Sequence, residues 1–127
     1  MLNEIKNVHQ PAREQGFRRW FSDEELELIV WYSAAGEISG FQLCYDLQGT
    51  ERSFTWKKDG ALKHAVIDSG EDSPLQNQSP MLFSEPAAPV EFVVAEFKTR
   101  SEMLEPGIVE LVSRQISAYD GYRRSFI

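Results

Sequence analysis

Reactive side chains are scarce in this chain: one cysteine and two histidines among 127 residues. A lone cysteine closes no internal disulfide and makes no paired Cys-x-x-Cys site, so no disulfide framework holds the fold. Long apolar runs are also missing. The longest, LIVWY at Leu28 to Tyr32, falls far short of the ~18 to 20 residues that span a bilayer, and the opening MLNEIKNVHQ lacks the apolar centre of a signal peptide. The expectation is a cytoplasmic protein with no membrane partner. Positive charge is in deficit too, with thirteen Lys and Arg against twenty Asp and Glu for a net charge of −7. Such a chain repels phosphate backbones at long range, so nucleic acid is not an expected partner. Gly-rich phosphate loops, His-Glu-x-x-His and calcium-loop patterns are absent, and no cofactor or metal is expected.

What remains has the composition of a globular protein, 42% hydrophobic and 12% aromatic against 26% charged. The length is that of one domain with a sizeable core. Residues 1–12 are polar and aperiodic and read as a flexible lead, with a single α+β domain over 13–127. Within FRRWFSDEELELIVWYS, Ser22 and Glu25 have the form of a helix capping box, yet the run that follows is rich in strand formers. The reading is a turn at Ser22 to Glu24 that feeds a strand.

Turn signals at AAGE, DLQGTE and KDG then separate four strands, about 25–33, 38–46, 51–58 and 61–68, in an antiparallel β-meander. Period-2 alternation puts Leu26, Leu28, Val30, Phe41, Leu43, Tyr45, Phe54 and Trp56 on one apolar face. Register follows: Leu43 opposite Phe54, Phe41 opposite Trp56, Val30 opposite Phe41, Leu28 opposite Leu43. The other face is mixed, with Glu27, Ile29, Trp31, Gln42, Cys44, Ser53, Thr55 and Lys57. Residues 69–89 form a long Pro-rich loop. After it, Val90 to Leu104 and Pro106 to Tyr119 carry helical spacing, with Pro106 suited to a first helical turn. The valines of VEFVVAEF leave a fifth strand open as the alternative for 90–97. The fold expected is α+β, a four-stranded meander with two C-terminal helices packed on its apolar face.

Cys44, within GFQLCYD, invites pairing with His64 as nucleophile and base. If Asp59-Gly60 makes a two-residue turn, Thr55 faces His64 and the histidine shares the mixed face with Cys44, at roughly 12 Å between Cα atoms. If Gly60 instead makes a bulge, His64 turns to the apolar face against Phe54. Neither register allows a dyad, so Cys44 reads as a packed or half-exposed strand thiol and no catalytic set is assigned. His64, Asp68, Glu71 and Asp72 cluster in sequence, but His64 and Asp68 stand about 13 Å apart along one strand, too far for one ion.

Two other groups remain. Arg18 and Arg19 beside Trp20 and Phe21 can contact an anion; otherwise the aromatics close one end of the core and the arginines pair with nearby acids such as Asp23 or Glu24. On the mixed face, Trp31 lies across from Gly40, an arrangement that stabilises a strand glycine. With Gln42, Thr55, Lys57 and, in the first register, His64, it makes an amphipathic platform for a protein partner, a second copy of the chain, or the chain's own loop. The phrases RRWF, LIVWY, GFQLCYD and FTWKKDG resemble a group of short uncharacterised bacterial proteins over about Phe17 to Asp72. That resemblance implies a bacterial origin and carries no activity.

The function expected is a non-catalytic binding or protein-interaction module, with a homodimer through the mixed face as one form of it. The alternative is a small ligand-binding domain or enzyme using His64, Asp68 and Glu71 with Arg18 or Arg19 in a pocket under the 69–89 loop. An acidic chain can also neutralise a basic partner. The acids, however, are spread from Glu4 to Asp120 rather than grouped.

Overall fold

The computed structural model describes residues 1–6, 8, 10, 16–68 and 81–123. Its main sheet has seven strands that follow one another in chain order: β1 (Asn3–Glu4), β2 (Phe17–Ser22), β3 (Glu27–Tyr32), β4 (Ile38–Tyr45), β5 (Arg52–Lys57), β6 (Lys63–Asp68) and β7 (Met81–Ser84). Every neighbouring pair is antiparallel. Two helices follow, α1 (Val90–Arg100) and α2 (Pro106–Ser117), and a short parallel pair joins β8 (Ala87–Ala88) to β9 (Tyr122–Arg123).

The four expected strands are therefore the centre of a larger sheet. β2 escapes sequence patterning because both of its faces carry aromatics, Phe17 and Phe21 on one and Trp20 on the other, so period 2 is hidden. The turn after it is where it was expected, but it is closed by Asp23 rather than by a Ser22–Glu25 capping box. Asp23 Oδ1 accepts from the N–H groups of Glu25 and Leu26, at 2.8 Å each, and joins β2 to β3. The opening residues are no free lead. Leu2 is fully buried, its N–H donates to the Arg100 carbonyl at 2.8 Å, and Asn3 and Glu4 pair with Ser22 and Phe21. Within the expected 69–89 loop, 81–84 form β7 and 87–88 form β8; residues 69–80 lie outside those described.

Registers at the centre follow the side-chain pattern. Leu28 faces Leu43, Val30 faces Phe41, Leu43 faces Phe54 and Phe41 faces Trp56. Both helices pack on that face. Val90, Val93 and Phe97 of α1 join Ile108, Val112 and Ile116 of α2 in one core with Leu28, Val30, Phe41, Leu43, Tyr45 and Phe54. Residues 90–97 are thus helical despite their β-branched valines: the 3.6-residue spacing lets Val90, Val93 and Phe97 reach the sheet together, and that burial outweighs a propensity cost of a few tenths of a kcal/mol per valine. Pro106 opens α2 as expected.

Candidate functional site

Pleating carries the side chains opposite the core to an outer face, where Trp31, Gln42, Thr55 and Lys57 come together as the sequence predicts. Trp31 pairs with Gly40, which pairs with Lys57, while Gln42 pairs with Thr55. These contacts are specific. The Lys57 ammonium sits 4.0 Å from the centre of the Trp31 ring, a cation–π contact. Gln42 Nε2 donates to Thr55 Oγ1 at 3.0 Å. Gly40 is required beneath the indole: a Cβ there would stand 3.2 Å from Trp31 Cε3 and only 2.6 Å from the Trp56 carbonyl oxygen. Ile29, Cys44 and Ala65 are buried on this side, outside the helix-packed core.

His64 does not belong to this platform. Its Cα partner is Phe54, and Thr55 faces Lys63, so the second of the two registers holds, closed by a turn in which the Gly60 N–H donates to the Lys57 carbonyl at 2.9 Å, and the histidine points into the core. There its side chain has no exposed surface. Nε2 lies 2.6 Å from Tyr45 Oη and Nδ1 lies 2.7 Å from the Glu85 carbonyl oxygen. A carbonyl only accepts, so Nδ1 carries a hydrogen, and with the ring neutral the tyrosine hydroxyl donates to Nε2. Arg52 Nε in turn donates to Glu85 Oε1 at 2.7 Å. This Tyr45–His64–Glu85–Arg52 chain ties β4, β5 and β6 to the segment leaving β7. Sequence reasoning missed it because Glu85 sat in a stretch read as loop.

The two arginines are split by the pleat. Arg18 lies on the outer face opposite Trp31, and its guanidinium carbon stands 5.6 Å from the Trp20 ring centre. Arg19 points the other way and is held by Glu4, at 2.9 and 3.0 Å, and by both Glu105 oxygens at 2.9 Å. The hydrogen bond that it donates to Glu4 is the largest influence raising its pKa, and the side chain is committed to these ion pairs. Arg18 and Arg19 therefore form no joint anion site, and neither lies near His64. Asp68 ends β6 opposite Met81, and Glu71 and Asp72 lie outside the described residues.

Cys44 pairs with Ser53 on the outer side of the sheet, the side away from His64. Its thiol is buried, and burial, followed by the charges of Glu51 and Glu27, pushes its pKa far above the usual thiol range. A thiolate nucleophile has no support there. Among the described residues no group of three His, Cys, Asp or Glu side chains is arranged to hold a metal ion, and no helix is long and apolar enough to cross a membrane.

Beside the platform, an open cleft of about 890 Å³ runs past the β5–β6 turn, lined among others by Thr55, Lys57, Lys63, Leu82, Tyr119 and Asp120. Lys63 and Leu82 were not singled out in the sequence, because their place depends on the β6–β7 pairing. No family model, curated protein or solved structure matches the chain.

Proposed function

We propose that the protein is a non-catalytic binding or protein-interaction module that receives its partner on the outer face of the sheet. The observation that carries this reading is the group of Trp31, Gln42, Thr55 and Lys57, held in place by mutual contacts outside the helix-packed core and bordering an open cleft. Preorganised aromatic and cationic side chains lose little entropy on binding, which suits an interface anchor. The strands also distribute charge against the average of the chain. Among the described residues their outer face carries Arg18, Lys57 and Lys63 against the acids Glu27 and, beside Cys44 just before β5, Glu51, on a protein whose net charge is −7. A partner with acidic and apolar groups fits such a face. Co-purification from the source cell with wild type, Trp31→Lys and Lys57→Glu as baits tests it. Proteins retained by wild type and lost by both variants are expected, and three identical sets of captured proteins would refute the reading.

A second reading, a small-molecule site, is favoured by the cleft itself. Its residues would be Lys57 and Lys63 rather than the arginines, with His64 acting only as part of the wall. A small-molecule ligand that raises the Tm of wild type but not of Lys63→Ala supports it. A rise that survives Lys63→Ala and Lys57→Ala together rejects it.

A further inference from the structure

β7 is the last strand of the sheet, and it is unlike the other edge. β1 is two residues long and flanked by charge, whereas Met81–Ser84 reads MLFS, with no charged side chain. Leu82 is 53% exposed on the outer face, and Phe83, on the face that carries the core, is 49% exposed. Among the described residues nothing pairs with its outer edge. Natural proteins usually blunt such edges with charge, proline or a bulge.

Backbone alternation decides which groups that edge offers. The Glu85 N–H bonds the His64 carbonyl, so Glu85, and by period 2 Phe83 and Met81, direct their N–H and C=O groups inward to β6. Those of Leu82 and Ser84 point outward. Pro86, next in the same alternation, has no N–H to give, and beyond it Ala87 turns away to pair with Tyr122. Among the described residues the open edge is thus a window of two.

We infer that this edge pairs antiparallel with β7 of a second copy of the chain, making a two-fold dimer with one continuous sheet. Outward residues must meet outward residues, and the register using both sets Leu82 opposite Ser84 of the partner and Ser84 opposite its Leu82. Four backbone hydrogen bonds form, and the two-fold axis passes between the two Phe83 residues as a close, non-hydrogen-bonded pair. Their half-exposed rings then lie on the same face and cover one another. Self-pairing also answers the charge problem of a chain at −7. The edge strand itself is neutral; of the acids beside it, Glu85 is paired with Arg52, and Asp68 lies across the β6 pairing from Met81. Because the window ends at Pro86, the pairing closes as a dimer rather than spreading. This inference is independent of the outer-face reading above.

Light scattering coupled to size exclusion, over a series reaching high protein concentration, tests it. Wild type is expected to move from its 14.5 kDa monomer mass towards twice that value. Phe83→Lys, which sets two ammonium groups against each other at the axis, weakens association by more than about tenfold. Trp31→Lys leaves it unchanged. A monomer at every concentration overturns the inference, as does a dimer that Trp31→Lys splits and Phe83→Lys does not. Register has its own readout. Non-hydrogen-bonded partners stand about 4.5 Å apart at Cα, within disulfide reach, while the two Leu82 residues are diagonal at about 7 to 8 Å. Phe83→Cys is therefore expected to cross-link under mild oxidation far faster than Leu82→Cys, with the buried Cys44 silent. Equal or reversed rates would rule this pairing out, and far-ultraviolet circular dichroism of each variant shows that it is folded.

Discussion

The face occupied by His64 decides whether this histidine can meet a partner, and a pair of substitutions reports it. In the observed register His64 is inward and its neighbour Lys63 is exposed on the outer face. His64→Ala removes the Tyr45 and Glu85 hydrogen bonds, worth about 1 kcal/mol each. It also removes a ring whose centre lies 4.7 Å from that of Phe54 and 6.2 Å from that of Tyr119, which adds about 1 to 2 kcal/mol for the lost packing. The expected loss is roughly 3 to 4 kcal/mol, large against a typical domain stability of about 5 to 15 kcal/mol but compatible with a folded variant. Lys63→Ala, at an exposed position, should stay within about 0.5 kcal/mol of wild type. Urea unfolding followed by tryptophan fluorescence measures both, with equal slopes required for the comparison. A one-residue slip of β6 would exchange the two outcomes. If His64→Ala costs under about 1 kcal/mol while Lys63→Ala is the damaging change, the register is wrong and His64 returns to the binding face.

Further expectations concern the turn, the thiol and the glycine floor. The Asp23 side chain is only 3% exposed, and its desolvation alone would raise the pKa, but the N–H groups of Leu26 and Glu25 and then the Arg100 guanidinium overcome this and hold it at about 2, against 3.8 when unperturbed. A depressed carboxylate stabilises the fold fully above pH 3.8 and loses that contribution as pH falls towards 2, so about 2 kcal/mol should disappear across that window. Urea midpoints at pH 5, 3 and 2 should fall more steeply for wild type than for Asp23→Asn, and parallel curves would exclude Asp23 as the source. Cys44 should react with an aromatic disulfide reagent only at the rate of local or global opening, so its rate should rise with urea; fast, urea-independent labelling of native protein would contradict its burial. Gly16→Ala places a Cβ 2.0 Å from the Tyr32 carbonyl oxygen on a residue at φ +92°, and a loss of several kcal/mol is expected in thermal unfolding.

Much of the centre of this fold is legible from local rules. A pleat alternates with period 2, and a hydrophobic face tolerates no slip, so Leu28, Val30, Phe41, Leu43, Phe54 and Trp56 determine their own registers and carry Trp31, Gln42, Thr55 and Lys57 to the opposite side. Helical spacing with Pro106 at a first turn does the same for α2. The remaining features depend on partners distant in the chain. Both β6 registers satisfy the alternation of KHAVID, and only a core with room for a ring between Tyr45, Phe54 and Glu85 selects the register that turns His64 inward. Four residues such as MLFS carry too little pattern to announce a strand, and β7 exists because β6 offers an edge to pair with. Residues 90–97 become helix because the sheet below rewards burial at positions 90, 93 and 97 together. Arg18 and Arg19, adjacent in sequence, are parted by a strand whose aromatics hide its alternation. The sequence by itself thus determined which side chains share a face; tertiary structure decided which face His64 occupies and which edge of the sheet has no strand partner among the described residues, because each depends on contacts between segments far apart in the chain.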